Sequence, residues 1–297
     1  MGRFADRSRA RVLLALTGSP DGRPDWVAEL ELGDDAGLFG PDSAAWVVHG
    51  GLPTFVAGIR ALLMQTLHPG AMAGVHDWSL YRQDPLGRLS RTVRWLVIVT
   101  FSDTAMAVRE SNRIDRLHEH VTGSYTDAAG AARAYTAQDV ELLGWVHDVF
   151  TDAFLASQQL WGSPIPGGAD QYVREWAKAG ELVGVQSPPR SVAELRSQLD
   201  GYRDSGVLKS DERVANAVQF IRSPGLRHSM MPAYRILFGG AVASIPAEYR
   251  KMLGLRRPWW PAITATRLAL WGIGRVLHGA SGSEAAARKR LARLGLT

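Results

Sequence analysis

The chain has 297 residues and contains no cysteine. This absence excludes disulfide bonds, thiolate zinc sites, iron–sulfur clusters and covalently attached c-type haem. A metal or cofactor would have to be held by histidine, carboxylate or hydroxyl groups, or by noncovalent packing. The composition fits a reducing compartment, and a cytoplasmic location is the corresponding expectation.

Strong charge of one sign and long apolar runs are also missing. The 34 Lys and Arg residues and 29 Asp and Glu residues give a net charge of +5, and the arginines are scattered along the chain. No basic arm is present, so we expect no nucleic-acid partner. No stretch is long enough to span a membrane. The apolar patch at residues 12–16 is shorter than the core of a signal peptide, which predicts an amphipathic or frayed leader.

Several catalytic motifs are absent as well. The sequence has no HExxH, no G-x-S-x-G, no G-x-G-x-x-G after a strand and no G-x-x-x-x-G-K-[ST]. These absences argue against a helical zinc protease, an α/β-hydrolase, a dinucleotide-binding domain and a P-loop protein.

The apolar residues recur at helical spacing and nowhere alternate at period two over a useful length. The sequence therefore predicts an all-α, single-domain helical bundle over residues 39–297, preceded by a lead-in at 1–38. The predicted helices cover residues 44–50, 55–67, 88–101, 104–121, 137–160, 169–184, 191–203, 211–221, 230–242, 246–253 and 262–277.

Local signals set the predicted helix ends. Asp42 or Ser43 caps the helix at 44–50, and Ser102-Asp103 caps the one at 104–121. Pro69-Gly70 ends the helix at 55–67 and is followed by a looser segment, whereas Gly123 stops the helix that carries His118 and His120. Residues 124–137 are expected to form a loop, and those after 277 a basic tail. A strand is the competing local prediction for Val93–Val99, which is rich in β-branched residues.

The eight histidines are where cofactor chemistry would concentrate in a chain without cysteine. One cluster stands out, from Arg88 to His118. Arg88, Arg91 and Thr92 share one face of an otherwise apolar helix, and two guanidiniums there need an anionic or polar partner. A haem propionate or an iron-bound oxygen species would serve, and a surface arginine pair is the alternative. His118 has the form of a proximal haem ligand, but many unliganded helix histidines look the same.

Five stretches together resemble the family of rubber oxygenase (latex clearing protein) and MpaB-type oxygenase catalytic domains. The likeness covers about residues 39–202, and its motifs are specific through their order and spacing. They are Phe39–Trp46 with Val48-His49-Gly50, Ala61–Pro69, His76–Ser79 with Asp84–Thr92, Arg116–His118 with Val121 and Gly123, and Tyr135–Asp139 with Leu142, Leu143 and Trp145-Val146-His147.

The resemblance implies an all-α fold that holds noncovalent haem b. Characterised members are oxygenases that cleave carbon–carbon double bonds in polyisoprene or isoprenoid side chains. By motif position His118 is the proximal iron ligand, and Arg88 and Thr92 lie beside the haem. The implied partners are molecular oxygen and a hydrophobic small-molecule substrate. His68, His76 and His147 also occupy family positions, with contact, capping or hydrogen-bonding roles.

Two positions depart from the family pattern. Arg91 stands where the latex clearing protein has a lysine that caps the iron. An arginine stays protonated and is a poor metal ligand, so the distal side is open, water-filled or covered by another group. Residues 72–78 offer only Asp77 in place of the glutamate proposed as catalytic base. We therefore do not assign rubber, the substrate of the latex clearing protein, to this chain.

Three readings remain open at this point. The chain is a haem-dependent oxygenase, a haem-binding sensor or carrier without turnover, or a helical protein whose histidines are structural. Separately, the cluster of Arg256-Arg257 and Trp259-Trp260 could meet a membrane surface or a partner, and a packed turn is the alternative.

Overall fold

The computed structural model describes residues 24–78, 85–226, 228–277 and 282–296, together with Ala10 and Ser19, with only the backbone for 85–90. The predicted leader at residues 12–16 lies outside this part of the chain. The helices are α1 Asp25–Glu29, α2 Ala44–Gly50, α3 Thr54–Gln65, α4 Pro69–Trp78, α5 Pro85–Phe101, α6 Thr104–His118, α7 Val140–Trp161, α8 Gly168–Leu182, α9 Val192–Asp204, α10 Glu212–Arg222, α11 Met231–Ser244, α12 Ala247–Met252, α13 Ala262–Leu277 and α14 Ser283–Leu294.

Two predicted helix caps are present in the structure. The Ser43 side chain accepts a hydrogen bond from Trp46 N at the start of α2, and Asp103 accepts one from Met106 N at the start of α6. Each side chain satisfies a backbone N–H that has no partner within its helix. The helix over residues 88–101 is confirmed as α5, so the competing strand prediction is wrong.

The prediction of an all-α chain needs one correction, because residues 122–136 form a β-hairpin. Strands β1 Thr122–Thr126 and β2 Ala132–Thr136 pair antiparallel, with Thr122 opposite Thr136 and Thr126 opposite Ala132. Gly123 was expected to stop α6, but that helix already ends at His118. Gly123 instead faces Tyr135, whose ring would lie 2.9 Å from any added Cβ. A glycine is needed there for close approach.

Two further expectations are wrong. Pro69-Gly70 does not lead into a loose segment, because Pro69 is the first residue of α4. Proline is tolerated at this position, since the first helical N–H has no partner within the helix. The expected basic tail contains helix α14, where the fully buried Arg290 donates to the carbonyls of Leu30 and Phe101, each at 2.9 Å.

The core is centred on α3, which contacts α7, α10 and α11. α5 and α6 form an antiparallel hairpin beside it, and α13 packs against α11. Of the described helices, none is by itself long and apolar enough to cross a membrane. α2 and α3 meet that requirement only when counted together, across a 90° bend.

Candidate active site

An ion-pair cluster fixes the register of the α5–α6 hairpin. Glu110 on α6 is buried and accepts hydrogen bonds from Arg113 at 2.7 and 3.0 Å. Arg94 on α5 approaches the same carboxylate at 3.4 Å. The hydrogen bond to this carboxylate raises the pKa of Arg113, because it stabilises the charged guanidinium. The contact places the beginning of α5 beside the end of α6.

His118 is the last residue of α6 and continues the buried side of that helix. Ala107, Ser111, Ile114 and His118 follow one another at spacings of four, three and four residues, which puts them on one face. Ala107 and Ser111 are fully buried, and Ile114 and His118 are half-buried. The helix therefore directs His118 to the same side as its apolar face.

The imidazole of His118 has no hydrogen-bonding partner among the side chains that the structure describes. Within the described part of the chain it makes no hydrogen bond or ion pair. Burial lowers its pKa, and the nearby Asp115 carboxylate opposes this only in part. The ring is therefore neutral at physiological pH, which is the form that coordinates a metal.

The three predicted α5 residues lie in the first two turns of that helix. Arg91 and Thr92 are exposed, and both take part in contacts with other residues. The backbone places Arg88 one turn before Thr92 and seven residues before Trp95. Because α5 and α6 run antiparallel, these positions and His118 lie at the same end of the hairpin.

Besides Arg94 Nε, which lies 3.4 Å from Glu110, two buried polar atoms on this hairpin have no hydrogen-bond partner in the described residues. They are the Ser111 hydroxyl, seven residues before His118, and the Trp95 indole N–H, three residues after Thr92. The Trp95 ring packs edge-on against Trp176, with centroids 6.0 Å apart. The sequence analysis did not single out either group. Their spacing from the predicted residues, three residues after Thr92 and seven residues before His118, is the signal that could have identified them.

The segment that follows His118 is held by the end of α4. The Trp78 indole donates to the Thr122 carbonyl at 2.8 Å, and the Tyr135 hydroxyl donates to Asp77 at 3.3 Å. The other Asp77 oxygen lies 2.9 Å from Nδ1 of His76. Both carboxylate oxygens of Asp77 are thus already engaged. The His76–Asp77 pair positions the contact between the end of α4 and the β1–β2 hairpin.

The remaining family histidines belong to the core. His49 lies between Phe154 and Trp176, with ring centroids at 4.8 and 4.2 Å, and its Nε2 is 3.1 Å from the Tyr172 hydroxyl. Burial lowers the pKa of His49 to about 3 and that of His147 to about 4. Both rings are neutral packing groups.

His68 is also buried, and its Nε2 lies 3.6 Å from the Glu141 carboxylate. Its Nδ1 accepts a hydrogen bond from Gly70 N at the start of α4. The capping role expected for a family histidine is therefore present at His68.

The described residues include no group of three or more His, Asp or Glu side chains arranged to hold a bare metal ion. A haem iron needs only one axial histidine from the protein, so such a group is not required for haem. A cavity of about 140 Å³ lies between the start of α4, the end of β1 and the start of α10. Its lining contains none of the four predicted site residues.

Comparison with known families decides the affiliation. The sequence profile described as "ER-bound oxygenase mpaB/B'/Rubber oxygenase, catalytic domain" matches residues 46–278. The chain belongs to this family. The match begins within α2, extends C-terminally beyond the stretch that carried the resemblance to the end of α13, and includes all four predicted site residues. No curated protein and no solved structure gives a significant match.

Proposed function

We propose that this oxygenase-family chain is a haem b-dependent oxygenase, with His118 as the proximal ligand of the haem iron. Its substrates would be molecular oxygen and a hydrophobic small molecule. One observation carries the proposal: in a chain of this family, α6 ends in a half-buried imidazole that burial keeps neutral and that makes no hydrogen bond with the described residues. A neutral imidazole without a competing partner is suited to axial ligation.

The other residues at this end of the hairpin fit the same cofactor. The Arg88 guanidinium would pair with an anionic group such as a propionate, and the Thr92 hydroxyl can hold or donate a proton. A guanidinium is a poor metal ligand, so Arg91 would not coordinate the iron, and oxygen, water or another group would take that place. The bound haem would supply the oxygen chemistry, and the protein would supply orientation and a dry surrounding.

The test compares two histidines two residues apart. The purified, haem-supplemented protein should show a Soret band, and His118→Ala should lose most of it. His120, which is exposed, provides the matched control, and His120→Ala should keep the wild-type spectrum. Circular dichroism shows whether both variants are folded.

Added imidazole distinguishes a His118→Ala protein that has lost only the iron ligand from one that has lost its fold. It should restore haem binding to His118→Ala, because the free molecule can occupy the place of the deleted side chain. A full Soret band with an unchanged spectrum in His118→Ala, without added imidazole, would show that another residue is the ligand.

A second candidate is a haem-binding protein without turnover. The observation that favours it is the engagement of both Asp77 oxygens, which leaves no free carboxylate in residues 72–78. Oxygen consumption with a reductant and isoprenoid or aromatic test compounds distinguishes the two. An oxygen-dependent product supports the oxygenase, and reversible oxygen binding without a product supports the carrier.

A further inference from the structure

The outer face of α13 exposes large apolar side chains. Trp271 is 61% and Leu268 is 65% exposed, and Trp259, just before the helix, is 96% exposed. The positions of Leu268 and Trp271 differ by three residues, so the two side chains neighbour each other on the helix. Isolated exposed apolar residues are common, but two tryptophans and a leucine along one short segment call for a partner.

This face is held outward by firm packing on the other side of α13. Thr266 is fully buried and donates a hydrogen bond to the Ile236 carbonyl of α11. Helical geometry places Leu268 and Trp271 roughly opposite Thr266. Trp260 lies against Gly239 of α11, where its ring would meet any added Cβ at 2.4 Å. Trp260 is therefore part of a packed turn, one of the alternatives left open by the sequence. Trp259, in contrast, points into solvent.

All the charged residues of α13 and the segment around it are basic. Residues 249–283 contain six Lys or Arg and no Asp or Glu, although acidic residues make up about one in ten of the whole chain. Arg256 and Arg257 are exposed and form no ion pair in the described structure, and the Arg275 guanidinium lies over the Trp271 ring at 4.2 Å. The apolar side chains are thus surrounded by positive charge without acidic neighbours in sequence.

We propose that α13 and the turn before it form a docking surface for an anionic lipid bilayer. Tryptophan is favoured at the boundary between headgroups and acyl chains, because its ring is apolar and its N–H is polar. Arginines around it are attracted to anionic headgroups. Trp259, Leu268 and Trp271 enter this boundary, and Arg256 and Arg257 contact the phosphates. α13 packs mainly against α11, not against the α5–α6 hairpin that carries His118.

Vesicle sedimentation with the full chain tests the proposal. The protein should bind vesicles that mix phosphatidylcholine with phosphatidylglycerol, should not bind pure phosphatidylcholine, and should be released by salt. Arg256→Gln and Arg257→Gln should each weaken binding about fivefold. Arg196→Gln, at an exposed position on α9, should have no effect.

A second pair of variants tests the apolar contribution. Leu268→Ser should reduce binding, whereas Leu32→Ser, at a position of nearly equal exposure (64%), should not. Trp259→Ala combined with Trp271→Ala should abolish it. Equal binding to both kinds of vesicle, or binding unchanged in all α13 variants, overturns the proposal. So does a concentration-dependent dimer that the same variants dissolve in the absence of vesicle binding, because a second copy would then cover the face.

Discussion

The guanidinium of Arg94 on α5 lies 3.4 Å from the buried carboxylate of Glu110 on α6. This contact joins the two helices that carry every predicted site residue. Arg94 follows Thr92 by two residues, and Glu110 precedes His118 by two turns. The position of the candidate ligand relative to the α5 residues therefore depends on this ion pair.

We expect Glu110→Gln to destabilise the protein by about 1.5–3 kcal/mol, the cost of losing charge-assisted hydrogen bonds to a buried acceptor. The variant keeps the shape of the side chain but leaves Arg94 and Arg113 without a countercharge. Urea unfolding measures the change. Glu29→Gln, at an exposed position on α1, should be neutral, and equal stability of the two variants would contradict the structural role of Glu110.

Arg88 and Thr92 should act on haem retention together, because they are four residues apart on one helix face. Under the proposed function, Arg88→Ala and Thr92→Ala should each weaken haem retention or oxidation rate. The double variant should lose less than the sum of the two single losses. The measurement is haem occupancy and oxidation rate across the four proteins. Near-wild-type values in both single variants would mean that the two side chains lie outside the site.

Close packing between α7 and α8 gives a prediction with an internal control. A Cβ on Gly180 would lie 2.7 Å from the buried ring of His147, whereas one on Gly201 of α9 meets nothing within 4 Å. We expect Gly180→Ala to lose about 1–3 kcal/mol through overpacking. Gly201→Ala should gain up to about 1 kcal/mol from helix propensity. Equal stabilisation of both variants in urea unfolding would show that His147 moves aside without cost.

Local signals predicted much of the helical framework, because capping depends on residues three positions apart. Ser43 and Asp103 cap their helices as expected. Pro69-Gly70 was misread because the same dipeptide can follow one helix or begin the next. The β-hairpin was missed because the need for Gly123 comes from Tyr135, twelve residues away.

Non-local contacts explain the remaining differences. The segment around Arg290 looked like a basic tail because it is rich in alanine and arginine. Its burial depends on carbonyl groups such as that of Leu30, 260 positions earlier in the chain. In the candidate site, family motifs indicated His118 and the α5 residues. The Arg94–Glu110 contact that sets their register required knowledge of how the two helices pair.

The last prediction concerns a buried acid in the middle of α7. Asp148 is 1% exposed, and neither of its carboxylate oxygens has a hydrogen-bond partner among the described residues. One turn later, Asp152 pairs with the buried Arg60. Burial, with the charge of Asp152 as a second cause, raises the pKa of Asp148 from 3.8 to about 8. The carboxyl group is therefore protonated in the folded protein at neutral pH.

This shift makes the free energy of unfolding depend on pH in a defined direction. Between pH 3.8 and about 8 the folded protein holds a proton that the unfolded chain has released. The Asp148 contribution to stability therefore falls as pH rises, by about 1.4 kcal/mol per pH unit, and levels off above the folded pKa. His49 and His147 act in the opposite direction below pH 6.5, because burial lowers their pKa values.

Asp148→Asn isolates the contribution of the carboxyl group, because the histidines are present in both proteins and cancel in the difference. The stability of Asp148→Asn relative to the wild type should increase steadily from pH 5 to about pH 8 and then stay constant. Urea unfolding of both proteins across this range measures it, with Asp34→Asn, at an exposed position, as the control. A difference that stays constant with pH would mean that Asp148 is ionised in the folded protein and has a partner.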